Sequence, residues 1–308
     1  MIDFGILPQE FHDTLLEKNC HLRKRAVRVP PFEWRDLDTL LNQVEPKDPL
    51  FKLYADGPVP PLAYTEEVME LGVRRRRLVL DRFSRFMAGG ATLVLNRLEG
   101  FSTAAQALCR DVERYTGFPT TGNGYITFGG KGTFGQHWDV HDVFAVQLIG
   151  RKRWRVYEPT FAYPLSTQGS DQAQSRCPPA PVLDCVLEPG DLLYIPRGWW
   201  HQATPLDEPS FHLSVATFVP TILDYVLWSC SHYLPQSAEV RRGLIGTADT
   251  LAQIEAALQA VKTAISNPAH VAEFMHTVGG GHRAAADPDT ALLSRLASQF
   301  LPHAPRYA

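Results

Sequence analysis

Between Phe134 and Trp154 the chain reads FGQHWDVHDVFAVQLIGRKRW, and His137, Asp139, His141 and Asp142 fall within six consecutive positions of it. Imidazole and carboxylate side chains are donors for divalent first-row metals, and two histidines with one carboxylate on one face, open positions opposite, is the arrangement of non-haem Fe(II) oxygenases. His137 and Asp139 are two apart, so on an extended chain entering a strand they share a face. A third donor has to come from elsewhere. His201 is the candidate, because it follows GDLLYIPRGWW, where a strand stops at Pro196 and a turn at Gly198 brings the chain back. A lone His-x-Asp is a common turn element. The same pair followed about 60 positions later by Pro-x-Gly-x-x-His, inside an antiparallel β pattern, is far more specific. His141 alternates onto the same face and is read as an entrance or neighbouring histidine, since three donors already complete the set. His212, within a later strand, is read as a core or pocket residue.

Such donors need a rigid frame, and the surrounding pattern supplies one. Short β-rich runs bounded by Gly or Pro occur at 92–98, 124–129, 142–150, 153–159, 185–196 and 211–219, read as having no helix between successive strands. That pattern predicts an antiparallel sandwich or barrel. Segments 8–19, 32–43 and 103–116 have helical spacing, the last after Ser102, a favourable N-cap. Residues 44–61 read as loops and short edge strands, and 160–183 as a long loop of the kind that is often functional. After Pro220 the segments 221–234 and 249–265 are amphipathic and helical. Gly279–Gly281 is expected to be a flexible joint before a short helix at 290–301.

The bulk numbers limit the partners. In 308 residues, 44% are hydrophobic and 20% charged, and no apolar run approaches the length of a membrane span. The first residues lack the basic-then-apolar order of a signal peptide. Five scattered cysteines without a CxxC pair fit a reducing compartment, so a cytoplasmic location is expected. A net charge of −3 gives no general affinity for nucleic acid. The basic runs 23–25 and 74–77 are read as a solvated helix face or as stems over apolar surface, with a local patch for an anionic partner as the sharper alternative.

Two longer stretches, NGYITFGGKGTFGQHWDVHDVFAVQLIGRKRWRVYEP (123–159) and PGDLLYIPRGWWHQA (189–203), resemble the JmjC-type oxygenases, in the cupin-4 branch that contains ribosomal-protein hydroxylases. Residues 32–42 and 92–102 add to the likeness, which covers roughly 20–220. The resemblance implies a mainly β fold with flanking helices: a double-stranded β-helix, the cupin or jelly-roll barrel, over 1–220. A helical C-terminal region follows at 221–308, expected to form a homodimer and not a full winged helix. It also implies that Fe(II) is held by His137, Asp139 and His201, and that 2-oxoglutarate is the cosubstrate and O₂ the oxidant. Lys152 matches the position that holds the far carboxylate of 2-oxoglutarate. Asn123 and Tyr125 match positions that contact it. Ala216 departs from a serine found there in relatives, and Ser214 or Thr217 is expected to substitute.

The activity implied is hydroxylation of a C–H bond in a protein or peptide side chain. Trp138, Trp199 and Trp200 would line a groove for it or pack the barrel rim. Rival readings are a hydroxylase of a small molecule or biosynthetic peptide, a non-redox cupin enzyme, and a silent binding module.

Overall fold

The computed structural model describes residues 2–130, 132–170, 176–246 and 249–281. Contacts divide the chain into two compact units, residues 1–219 and 220–308.

In the first unit four helices precede the main β segment: α1 (Pro8–Thr14), α2 (Trp34–Gln43), α3 (Leu80–Ala88) and α4 (Thr103–Thr116). Helix α1 is shorter than its apolar spacing predicted, because Glu17 adopts a left-handed backbone (φ 57°) and gives its N–H to the Tyr194 hydroxyl. Helix α2 is opened by a capping box between Glu33 and Asp36, and α4 by Ser102, whose hydroxyl accepts from the Ala105 N–H.

Among the described residues there are twelve strands. They are β1 (His21–Arg23), β2 (Phe51–Tyr54), β3 (Thr65–Glu70), β4 (Val73–Leu78), β5 (Thr92–Leu95), β6 (Thr120–Thr127), β7 (Asp142–Ile149), β8 (Lys152–Tyr157), β9 (Leu183–Leu187), β10 (Leu192–Ile195), β11 (Trp200–Pro205) and β12 (Ser210–Thr217). A seven-stranded sheet has the order β1-β10-β7-β12-β6-β5-β2, a three-stranded sheet the order β11-β8-β9, and all pairings are antiparallel. One cavity is lined from both sheets. The fold is the double-stranded β-helix.

Three details differ from the sequence pattern. The run 185–196 is two strands, broken at Gly190 (φ 95°), and β11 was not foreseen because Trp-His-Gln-Ala-Thr-Pro has no clear alternation. The four arginines 74–77 do not lie on a helix. They form β4, paired with β3 so that Glu66 meets Arg77 at 2.7 Å and Glu67 meets Arg76 at 3.3 Å. Exposed pairs of this kind contribute about 0–1 kcal/mol each, but they cancel most of the local charge.

The outer face of the large sheet packs under the helices. Phe211, Leu213 and Val215 of β12 join Leu93, Leu95, Leu108 and Phe144 in one apolar cluster. Each such fully buried side chain stabilises by roughly 1.5–3 kcal/mol. A second cluster, Val143, Ala145, Trp154, Val156, Leu187, Leu193, Ile195 and Trp199, fills part of the space between the sheets.

The second unit is helical, with α5 (Ile222–Tyr233), α6 (Ala238–Arg241), α7 (Thr250–Ile265) and α8 (Pro268–Gly281). A capping box of Thr221 and Asp224 starts α5. Trp228 packs on Phe274 at 5.4 Å, and the Tyr225 hydroxyl donates to the Ile265 carbonyl. Gly279–Gly281, expected as a joint, belongs to the last turn of α8. A glycine costs a helix only about 1 kcal/mol, which a helix packed upstream can absorb. The segment expected as a helix at 290–301 lies outside the described residues.

Candidate metal centre

Three side chains converge at one end of the space between the sheets. One ligand atom each from His137, Asp139 and His201 lies within 4.8 Å of the others. The backbone forces this meeting. The His137 N–H donates to the His201 carbonyl at 3.1 Å and the His201 N–H returns to the His137 carbonyl at 2.8 Å, an isolated bridge just outside the named strands on one side. Gly198 N–H donates to the Asp139 carbonyl at 2.9 Å.

The turn before His201 is held from several directions. Gly198 has φ 79°, and a Cβ there would lie 2.8 Å from both the Phe161 carbonyl oxygen and Pro164, so only glycine fits. The Asp142 carboxylate, 1% exposed, accepts from the Arg197 N–H (2.9 Å) and the Tyr194 hydroxyl (2.8 Å). Burial pushes that carboxyl up to about 6, against the opposing pull of those two donors. Asp142 thus ties the start of β7 to the turn that carries His201.

The tautomers follow from the partners. Nδ1 of His201 lies 3.1 Å from the Trp199 carbonyl and Nδ1 of His137 3.3 Å from the Gly135 carbonyl. A carbonyl only accepts, so in both rings the proton sits on Nδ1 and Nε2 keeps its lone pair for a metal. Nε2 of His201 is 3.5 Å from Asp139 Oδ2. Burial would raise the Asp139 carboxyl, but the imidazoles of His201, His137 and His141 around it favour the carboxylate and hold it well below the usual range. It is a carboxylate at neutral pH. Two imidazole nitrogens and one carboxylate fit a divalent first-row ion.

A cavity of about 250 Å³ opens beside this cluster. Strand alternation decides what lines it. On β6 the inward residues are Asn123, Tyr125 and Thr127; on β12 they are His212, Ser214 and Ala216; on β8 they are Lys152 and Trp154. Arg153 and Arg155 point outward, onto Asp184. The chain reaches β8 through Gly150, where φ is 61° and a Cβ would lie 2.1 Å from the Pro209 carbonyl oxygen.

Lys152 is 2% exposed, with Nζ 3.0 Å from Nδ1 of His212 and 3.5 Å from the Tyr125 carbonyl. A buried ammonium calls for a counter-charge, and among the described residues no carboxylate lies within ion-pair distance of it. Burial alone pulls it down to about 7. Tyr125 stacks on His212 at 4.9 Å, and burial raises its phenol, keeping it protonated. The Asn123 carbonyl accepts from the Arg97 N–H at 3.1 Å, which leaves its amide N–H groups as the donors still available.

Thr217 does not belong with these residues. It has the parity of Phe211, Leu213 and Val215, is fully buried, and is absent from the cavity wall. Ser214 has the inward parity and stands opposite Asn123. The tryptophans are not a groove either. Trp138 and Trp200 pack edge to face at 4.6 Å, and their indole N–H groups donate to Gln168 and Thr160, while Trp199 sits in the apolar cluster. They anchor the described start of the 160–183 segment. His141 lines the cavity but stays outside the three-donor cluster. No local signal singles out Thr92, Thr133 or Phe134, which line the wall from another strand and a loop.

The sequence pattern of the JmjC domain family matches residues 96–225. Ribosomal oxygenase 1 of Homo sapiens is 31% identical over 251 residues, covering 77% of this chain and 37% of that protein. A bifunctional lysine-specific demethylase and histidyl-hydroxylase NO66 of Drosophila persimilis is 33% identical over 156 residues, covering 48% and 22%. The chain thus spans well under two thirds of the length of these relatives. The Escherichia coli ribosomal oxygenase YcfD, solved in complex with cobalt and 2-oxoglutarate, superposes with a TM-score of 0.58 at 20% identity, covering 88% of this chain and 70% of that one. That likeness establishes the fold.

Proposed function

We propose that this chain, which carries a JmjC domain over residues 96–225, is an Fe(II)- and 2-oxoglutarate-dependent oxygenase that hydroxylates a C–H bond of a protein or peptide side chain. The observation that carries the reading is the pairing of two features in one cavity: three converging donors of the right chemistry, and a buried ammonium with no carboxylate partner among the described residues. A non-redox cupin enzyme would need the first and not the second.

When bound, iron and 2-oxoglutarate supply activation of O₂ for hydroxylation of an unactivated C–H bond. His137, Asp139 and His201 would hold the iron through two imidazole nitrogens and a carboxylate oxygen. Lys152 would take the far carboxylate of 2-oxoglutarate, which supplies the missing counter-charge. The Asn123 amide, the Ser214 hydroxyl and the protonated Tyr125 phenol are further donors on the wall. The apolar cluster beyond Trp154 keeps that end dry.

A protein substrate is supported by the relatives, which are named as ribosomal oxygenases and a histidyl-hydroxylase. Demethylase chemistry, also in one of those names, would use the same donors. For the helical unit we propose self-association. Leu251, Ile254 and Leu258 of α7 stand at three- and four-residue spacing and are 79%, 40% and 53% exposed, a stripe suited to a second copy. Among the described residues no helix is long and apolar enough to cross a membrane, and a cytoplasmic location is proposed from the reduced cysteines.

The test is release of succinate from 2-oxoglutarate by the Fe(II)-loaded protein in air, followed by a search of ribosomal proteins for peptides heavier by one oxygen. Turnover that needs all three components supports an oxygenase. No succinate above the metal-free control, with or without substrate extracts, would leave a non-redox cupin or a binding module.

A further inference from the structure

We infer that His212 is a second donor for the far carboxylate of 2-oxoglutarate, its Nε2–H acting beside the Lys152 ammonium. The inference deepens the cosubstrate assignment above and rests on it.

Lys152 belongs to the smaller sheet and His212 to the larger, and they meet across the cavity with Nζ 3.0 Å from Nδ1. An ammonium has hydrogens to donate and no lone pair, so Nδ1 must be the acceptor. Burial, followed by the Lys152 charge, holds His212 well below the usual histidine range, and the ring is neutral. A neutral imidazole that accepts at Nδ1 carries its proton on Nε2. This is the opposite tautomer to that of His137 and His201. Lysine therefore sets His212 as a donor, while backbone carbonyls set the other two as acceptors.

The ring is also fixed in place. Tyr125 stacks on one face with an interplanar angle of 2°, and Trp154 meets it at 79° with centroids 5.2 Å apart. Turning the ring over would keep both ring contacts but take Nδ1 away from Lys152, so the lysine bond selects the orientation. Among the described residues Nε2 has no hydrogen-bond partner, and His212 lines the cavity. Among the described residues, the same wall thus holds an ammonium without a counter-ion and an imidazole N–H without an acceptor. Two converging donors and no carboxylate are matched by a ligand with two anionic oxygens. A monodentate lysine fixes distance; the second donor would fix the plane of the carboxylate.

His212→Asn separates the two roles of the ring. The Asn carbonyl can still accept from Lys152, but no donor reaches the Nε2 position. Calorimetric titration of the Co(II)-loaded protein with 2-oxoglutarate should show affinity lowered at least roughly tenfold, the loss expected for a hydrogen bond to a charged group, with cobalt content unchanged. Wild-type affinity in that variant would overturn the inference, leaving His212 as a mere support for Lys152. The unaltered protein gives a second reading that needs no variant. Its assigned ¹⁵N spectrum should show His212 as the Nε2–H tautomer, shifting when 2-oxoglutarate is added. An Nδ1–H tautomer, or no shift, would overturn it. Failure of the wild-type protein to bind 2-oxoglutarate at all would instead sink the cosubstrate reading, and the inference with it.

Discussion

The two faces of β12 are one residue apart in sequence and differ in nearly everything else. Phe211, Leu213, Val215 and Thr217 turn toward the helices and are fully buried; His212, Ser214 and Ala216 turn into the cavity. Strand β6 repeats the division, with Gly122, Gly124 and Ile126 outward and Asn123, Tyr125 and Thr127 inward. Because side chains alternate strictly, one sheet serves as the wall of the core and as the wall of the site. Stability should therefore reside on one parity and ligand binding on the other.

The largest effect should come from the donors themselves. His201→Ala is expected to weaken Co(II) binding by more than the roughly 10–100-fold that outer partners of a ligand contribute, measured by equilibrium dialysis. Near wild-type cobalt binding would separate the cavity from any metal. Next, Phe211→Ala should cost about 3–5 kcal/mol of unfolding free energy in urea titration, with the folded fraction still binding metal. A cost below about 1 kcal/mol would mean that the outer face is not the core.

Lys152→Met sharpens the contrast because its two effects run in opposite directions. It should reduce 2-oxoglutarate affinity on the order of 100-fold, as loss of a buried charge partner does, while leaving thermal stability unchanged or higher, since it removes a desolvated ammonium. A fall in both would make Lys152 a structural residue. In the wild-type protein, burial lowers the Lys152 ammonium to about 7, and only its charged form attracts a carboxylate. The affinity for 2-oxoglutarate should hold below that pH, fall as pH rises through it, and be accompanied by proton uptake in buffers of different ionisation enthalpy. A flat profile from pH 6 to 9 would remove the charge argument. The smallest effect is expected at Thr217. Among the described residues its hydroxyl has no hydrogen-bond partner, and it faces the core, so Thr217→Val should change 2-oxoglutarate affinity by less than about twofold. A large loss would break the parity rule.

Much of this was legible in the residues. The His-x-Asp pair, the Pro-x-Gly-x-x-His turn and the short β runs pointed to three donors on an antiparallel frame, and the structure brings His137, Asp139 and His201 together. What alternation alone could have corrected was Thr217, which shares parity with Phe211 and Leu213. The tryptophans were ambiguous, because an aromatic beside a ligand can face either way, and only the packed start of the 160–183 segment decides it. Contacts between distant strands were out of reach. Nothing local announces that His212 meets Lys152, sixty positions earlier, or that the 74–77 arginines are answered by glutamates across a hairpin.

The most direct test is an anomalous-scattering map from crystals grown anaerobically with Mn(II) and a 2-oxoglutarate analogue. A single metal peak is predicted about 2.0–2.2 Å from Nε2 of His137, Nε2 of His201 and the Asp139 carboxylate, with the analogue's far carboxylate on Lys152. A peak bound elsewhere, or an analogue turned away from Lys152, would contradict the account.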